Sequence, residues 1–197
     1  MTDEKYDILK RYFGYDTFRE GQEQVIDELI SGRDVLGVMP TGAGKSLCYQ
    51  IPALIFPGIT LVISPLISLM KDQVRALNEA GVHAAYLNSS LTQGQYYKAL
   101  SLAVEGRYPI IYVAPERLLT DSFLSFALNA NISMVAVDEA HCVSQWGQDF
   151  RPGYLKIEEF LRALPERPVV SAFTATATAE VRDDIIDLLK LQDPVVT

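Results

Sequence analysis

A turn of small residues has the composition of a phosphate-binding loop. The segment reads Met39, Pro40, Thr41, Gly42, Ala43, Gly44, Lys45 and Ser46. Small residues let backbone N–H groups turn towards phosphate oxygens, and a helix that begins there presents its positive end to the same anion. We predict that Lys45 neutralises the β- and γ-phosphates of ATP and that Ser46 binds Mg²⁺. Met39 replaces the first Gly of the usual pattern, and a Gly-rich turn without a ligand is the alternative.

Two carboxylates follow an apolar run that predicts a buried strand. After residues 132–137 come Asp138, Glu139, Ala140 and His141. Unpaired charge at the mouth of a buried strand is unfavourable, so a metal ion is expected to compensate it. We predict that Asp138 holds Mg²⁺ through its water shell and that Glu139 orients and deprotonates an attacking water, while His141 relays the nucleotide state. A pair that only caps a helix is the alternative.

The elements that must position these groups alternate along the chain. Apolar runs of strand length cover residues 35–38, 59–63, 110–113, 132–137 and 169–173. Helical periodicity lies within residues 25–30, 66–77, 157–164 and 181–189, with a further helix beginning near Lys45. This order predicts an α/β fold with a doubly wound, mostly parallel sheet, right-handed crossovers and helices on both faces. Ligands are then expected at the carboxyl ends of the strands.

Length and composition bound the function further. The 197 residues, of which 49% are hydrophobic, are enough for one domain over residues 1–197. No run of about 20 apolar residues predicts a membrane span, so we expect a cytoplasmic protein. A bacterial, nucleoid-associated location is expected only from the family resemblance described below. Cys48 and Cys142 lie too far apart for a CxxC pair and are expected to be buried thiols. A net charge of −8 argues against duplex binding over a basic face, although a local positive groove stays open.

Other segments resemble the RecQ family of DNA helicases, whose first RecA-like lobe this chain would be. Residues 13–22 resemble the family motif that reads adenine upstream of the phosphate loop. By that resemblance Gln22 bonds the base edge, Tyr15 stacks on the ring and Arg19 supports the base. A solvated helix start is the alternative.

The segment from Ser144 to Tyr154 resembles the aromatic-rich loop that RecQ helicases carry after their acidic motif. It contains Trp146, Phe150 and Arg151, a composition suited to stacking on unpaired bases and contacting phosphate. Ordinary core packing of the aromatic residues is the alternative. The family usually has His where Gln148 stands, which puts the role of that side chain in doubt.

Further segments resemble DNA-contacting and coupling motifs of the same family. They are residues 61–74, with Ser64 and Lys71 as contact candidates, and residues 112–118. Residues 171–177 resemble the motif that links the phosphate site to DNA, so Thr174 and Thr176 are expected to bond the acidic pair. A Thr-rich strand end that caps the next helix is the alternative.

The resemblance implies ATP and Mg²⁺ as cofactors and DNA, single-stranded and forked, as the partner. It also implies a second RecA-like lobe that supplies an arginine finger, so this lobe alone is expected to hydrolyse ATP slowly and not to unwind DNA. Two other hypotheses stay open. One is an RNA-remodelling ATPase, which would lack the loop around Trp146, and the other is a non-catalytic binding module.

Overall fold

Seven strands form a single parallel sheet in the computed structural model, which describes residues 2–40, 42 and 44–197. They are β1 (Val35–Val38), β2 (Ile59–Ile63), β3 (Ala84–Leu87), β4 (Ile110–Val113), β5 (Ile132–Val137), β6 (Val169–Thr174) and β7 (Val195–Val196). Their order is β3-β4-β2-β5-β6-β1-β7, and all the pairings are parallel. The predicted α/β fold with a parallel sheet is confirmed.

Helices connect the strands. They are α1 (Thr2–Ile8), continued by a π-helical turn (Leu9–Phe13), α2 (Gln22–Ile30), α3 (Lys45–Ile55), α4 (Ile67–Glu79), α5 (Gln93–Val104), α6 (Asp121–Asn129), α7 (Lys156–Ala163) and α8 (Ala179–Leu188). One apolar cluster packs on the side of the sheet that carries Leu61 and Val135, and a second packs on the side that carries Val62 and Phe173. The sheet is therefore buried on both faces, as its uniformly apolar strands predict.

The five predicted strands lie where the apolar runs stand, and β6 extends one residue further, to Thr174. Sequence patterns missed β3, β7, α1, α5 and α6. The two missed strands are short and lie at the edges of the sheet, where a continuous apolar run is not required. Helix α5 did carry a signal, because Thr92 and Gln95 form a capping box at its start.

Candidate nucleotide site and aromatic loop

The phosphate loop and the acidic pair lie at the same edge of the sheet. The loop follows β1 and the pair follows β5, with β6 between these two parallel strands. The carboxyl ends of the three strands therefore point to one region, which is where ligands bind in open α/β sheets. Sequence spacing of about ninety residues between the two segments could not by itself establish this proximity.

Lys45 contacts both carboxylates. Its Nζ lies 3.3 Å from Glu139 Oε1 and 3.7 Å from Asp138 Oδ1. The lysine is the first residue of α3, so the turn that carries it also exposes the free N–H groups of a helix start. One nucleotide could therefore contact both groups, the residues predicted to bind phosphate and those predicted to bind Mg²⁺ and water.

Asp138 is buried, with 7% of its surface exposed. Burial raises the pKa of its carboxyl group above the ordinary value, and the nearby charge of Lys45 opposes that rise. The backbone N–H of Glu139 donates to Oδ1 of Asp138 at 3.0 Å. Desolvation of this carboxylate is only partly compensated by the protein, which is the condition expected of a cation ligand.

Glu139 adopts a left-handed backbone conformation with a φ of 49°. Such a φ is uncommon for a residue with a side chain and is found disproportionately at functional sites. One oxygen of the Glu139 carboxylate contacts Lys45, and the other lies 3.5 Å from His141 Nδ1.

His141 is joined to the segment that follows β6. Its Nδ1 lies 2.9 Å from Thr174 Oγ1, and the Thr174 hydroxyl donates to the carbonyl of Thr176 at 3.1 Å. Because a hydroxyl has one proton, Nδ1 of His141 must carry the hydrogen of their shared bond. The Thr174 hydroxyl thus contacts the histidine that follows the acidic pair. Bonds from Thr174 and Thr176 to the carboxylates themselves stay a prediction. The alternative of helix capping applies to Thr178, whose side chain caps α8.

Arg19 and Gln22 reach the phosphate loop directly. Arg19 donates to the Gly42 carbonyl at 2.6 Å, and the Gln22 amide donates to the Gly44 carbonyl at 3.0 Å. The Gln22 carbonyl oxygen also accepts the backbone N–H of Arg19 at 2.7 Å. These side chains hold the loop backbone here, whereas the sequence predicted contacts with a base. Their role in reading adenine stays a prediction.

A cavity of about 510 Å³ lies beside these residues. Its lining includes Tyr15, Arg19, Gln22, Gly44 and Ser46. Tyr15 is 53% exposed, so one face of its ring is available for stacking. The cavity brings the predicted base-binding residues and the predicted phosphate-binding residues into one space. Thr41 and Ala43, also predicted to bind the nucleotide, lie outside the described residues.

The residues at this edge fit a magnesium–triphosphate group. Gly42 and Gly44 have φ values of 87° and 78°, which glycine adopts without strain. A Cβ at Gly44 would also displace the Gln22 amide that donates to this turn, and the positive φ there favours glycine in any case. Ser46 and Asp138 supply oxygen donors, and Mg²⁺ usually takes few protein ligands and fills its shell with phosphate and water.

The aromatic loop lies on the other side of the acidic turn. Trp146 is 76% exposed, which excludes the alternative of core packing for this residue, and Phe150 is half-buried. Arg151 pairs with Asp149 at 3.0 Å. Trp146, Gln148, Glu139 and Thr176 border a cavity of about 630 Å³. The exposed indole lies beside the acidic turn and has the accessibility that stacking on a base requires.

The two other contact candidates differ in accessibility. Lys71 is half-buried on α4. Ser64 is 1% exposed, and its hydroxyl has no hydrogen-bond partner among the described residues. The Ser64 side chain is therefore less accessible than Lys71, and a DNA contact by either residue stays a prediction.

Sequence reasoning missed three residues that position the loop. Tyr154 is fully buried and donates to the Asp138 carbonyl at 2.7 Å. Ser144 donates to Asp184 at 2.6 Å. Tyr154 and Ser144 stood in the loop that the sequence singled out, whereas Asp184 lies forty residues from its partner and had no local signal.

A larger hollow, of about 810 Å³, lies away from this site. Phe56, Tyr97, Val104 and Phe126 are among the residues that line it. No Lys, Arg, Asp, Glu or His among the described residues contributes to its lining. Phosphate chemistry requires charged groups, so the smaller cavities beside Lys45 and Trp146 are the functional candidates.

Comparison with known proteins decides the family. The pattern of the DEAD/DEAH box helicases matches residues 19–185. The chain belongs to the DEAD/DEAH box helicase family, in its RecQ group. It is 52% identical to the ATP-dependent DNA helicase RecQ of Bacillus subtilis over 94% of this chain and 32% of that protein. It is 50% identical to the Pasteurella multocida protein of the same name, over 96% of this chain and 30% of that one.

Solved helicase structures share the fold. A hypothetical ATP-dependent RNA helicase from Sulfolobus tokodaii has a TM-score of 0.73 at 24% identity, covering 99% of this chain and 57% of that one. The DEAD-box helicase Mss116, bound to single-stranded RNA and UDP-BeF, has a TM-score of 0.77 at 16% identity, covering 98% and 42%. The RecA-like fold of a family motor lobe, expected from the resemblance, is confirmed.

The chain corresponds to only part of its relatives. It spans about a third of the length of the curated relatives it matches. The activities of those whole proteins therefore apply to this chain only as proposals. Within the described part of the chain, no helix combines the length and the hydropathy that crossing a bilayer would require.

Proposed function

We propose that this chain is the ATP- and Mg²⁺-binding motor lobe of a RecQ-type DNA helicase. The observation that carries the proposal is the contact of Lys45 with Glu139 and Asp138, at 3.3 and 3.7 Å. It supports the proposal because the first residue of α3, after the loop expected to bind phosphate, touches both carboxylates expected to manage the metal and the water. A magnesium-bound triphosphate would supply the bond to be cleaved and part of the charge neutralisation.

The chain's own residues divide the remaining work. Lys45 would bind the β- and γ-phosphate oxygens, Ser46 would bind Mg²⁺ through its hydroxyl, and Asp138 would hold the ion through its water shell. Glu139 accepts a proton from the attacking water, because its carboxylate is more accessible than that of Asp138. His141, held by Thr174, connects this chemistry to the segment after β6. Tyr15, Arg19 and Gln22 border the space for the base.

Nucleotide binding is tested by titrating the chain with mant-ATP, with and without Mg²⁺. Lys45→Ala is expected to weaken binding by about tenfold to a hundredfold, because a charge-assisted contact with phosphate is lost. Lys98→Ala, which removes the same charge from the exposed face of α5, is the matched control. Equal affinity of Lys45→Ala and the unmodified chain would favour the non-catalytic binding module. By the family resemblance, which puts an arginine finger on a second lobe, ATP turnover by the chain alone is expected to be slow and strand separation absent.

The choice of DNA over RNA is tested at the aromatic loop. Trp146→Ala is expected to weaken binding of a fluorescent single-stranded DNA about tenfold, since stacking on one aromatic side chain contributes roughly 1–3 kcal/mol. Tyr97→Ala removes another exposed aromatic ring, on α5, and is expected to leave the affinity unchanged. Tighter binding of an RNA of the same sequence, or indifference to Trp146→Ala, would support an RNA-remodelling enzyme.

A further inference from the structure

Two consecutive hydrogen bonds attach the aromatic loop to α8. The backbone N–H of Trp146 donates to Ser144 Oγ at 3.1 Å, and this hydroxyl donates to Asp184 Oδ2 at 2.6 Å. The second distance is typical of a hydroxyl bonded to an ionised carboxylate, which is among the stronger hydrogen bonds in proteins. Ser144 is completely buried, so water reaches this contact only from the side of the partly exposed Asp184. The exposed indole therefore stands on a fixed backbone.

The other end of α8 meets the catalytic turn. Thr178 caps the helix by accepting the N–H of Val181 at 3.3 Å. The residues just before it include Thr174, which contacts His141 at 2.9 Å. Asp184 lies six residues after the cap, about 9 Å along the helix axis. One rigid helix thus links the segment that contacts His141 to the segment that carries Trp146.

The loop is also pressed against the acidic turn. A Cβ at Gly147 would lie 2.7 Å from the carbonyl oxygen of His141, so this approach is open only to glycine. The N–H of Gly147 donates to the Ser144 carbonyl at 3.2 Å, which closes a tight turn around Trp146. Movement of the loop relative to His141 must therefore either break these contacts or take α8 with it.

We propose that Ser144 and Asp184 are positioning residues that fix the backbone of Trp146 to α8, and that this helix couples the aromatic loop to the His141 turn. The anchoring is independent of any ligand. The statement that it serves nucleic-acid binding rests on the function proposed above.

The anchoring is tested by time-resolved fluorescence anisotropy of Trp146, the only tryptophan of the chain. Ser144→Ala and Asp184→Ala are each expected to add a fast local depolarisation, because the backbone of the loop loses its attachment. Asp184→Asn keeps an oxygen acceptor for Ser144 and is expected to restore most of the original signal. Asp183→Ala removes the same charge from an exposed position on α8 and is the matched control.

The function of the anchor is tested with single-stranded DNA and mant-ATP. Asp184→Ala is expected to weaken DNA binding roughly tenfold, on the scale of one charge-assisted hydrogen bond, and to leave mant-ATP affinity unchanged. The double variant with Ser144→Ala is expected to be no worse than either single variant, because both break the same connection. Circular dichroism verifies folding, and if Ser144→Ala does not fold, the partly exposed Asp184 carries the test.

Unchanged anisotropy in both Ser144→Ala and Asp184→Ala would show that these residues do not fix the Trp146 backbone to α8. Increased mobility with unchanged DNA affinity would overturn its role in coupling. If the unmodified chain binds no nucleic acid, the proposed function fails at Trp146, and the anisotropy of the variants still decides whether the anchor exists.

Discussion

Two buried aspartates at opposite ends of the parallel strands have very different surroundings. Asp34 precedes β1 and is 2% exposed, and Asp138 follows β5 and is 7% exposed. Asp34 receives two N–H groups of Arg167, at 2.6 and 3.2 Å, and the backbone N–H groups of Val170 and Gln192, at 3.0 and 2.8 Å. Asp138 receives one backbone N–H and lies 3.7 Å from Lys45.

The difference distinguishes a fully paired structural carboxylate from one that meets the conditions of the proposed metal site. Four donors surround Asp34 and tie the starts of β1 and β6 to the turn before β7, which leaves no room for a ligand. Asp138 keeps unused acceptor capacity in a desolvated place, and its pKa is raised by that burial. Burial alone therefore does not identify a site, whereas burial with incomplete pairing does.

The largest expected effect is that of Asp34→Ala. The substitution leaves Arg167 and two backbone N–H groups without their acceptor. Breaking such a buried pair lowers the free energy of unfolding by about 3–5 kcal/mol. Thermal unfolding should show a decrease of roughly 10 °C in Tm for a chain of this length. Asp193→Ala removes a nearby, solvent-exposed carboxylate and is the control, with little expected change. Similar Tm values for the two variants would mean that Asp34 does not hold the strands together.

Asp138→Asn is expected to raise Tm, by less than Asp34→Ala lowers it. The amide keeps the acceptor for the Glu139 N–H but removes a charge that burial disfavours, so Tm is expected to rise by about 2 °C. Mg²⁺-dependent binding of mant-ATP is expected to be lost in the same variant. A lower Tm would show that Lys45 compensates the Asp138 charge completely.

The expected increase in Tm of Asp138→Asn should depend on pH. Burial raises the folded pKa of Asp138 above its ordinary value of 3.8. A carboxyl group whose pKa is raised by folding stabilises the folded chain while it is protonated. This stabilisation is fully present below the ordinary pKa and is lost as the pH rises through the pKa of the folded chain. The difference in Tm between Asp138→Asn and the unmodified chain should therefore be small near pH 4 and larger near pH 7. A constant difference would assign the gain to something other than ionisation.

The sequence determined the fold and indicated the chemistry of the proposed site. Uniformly apolar runs predicted five strands of the sheet, because strands buried on both faces must be apolar throughout. The small residues before Lys45 and the acidic residues after β5 indicated phosphate and metal chemistry, because few other arrangements tolerate them at strand ends. These signals are local and can be read along the chain.

Only the tertiary structure decided which groups meet. The hydrogen bonds from His141 to Thr174 and from Ser144 to Asp184 join residues 33 and 40 positions apart. The complete pairing of Asp34 also depends on strand order. Such contacts are formed when β6 inserts between β1 and β5, and no periodicity or spacing in the sequence records that neighbourhood.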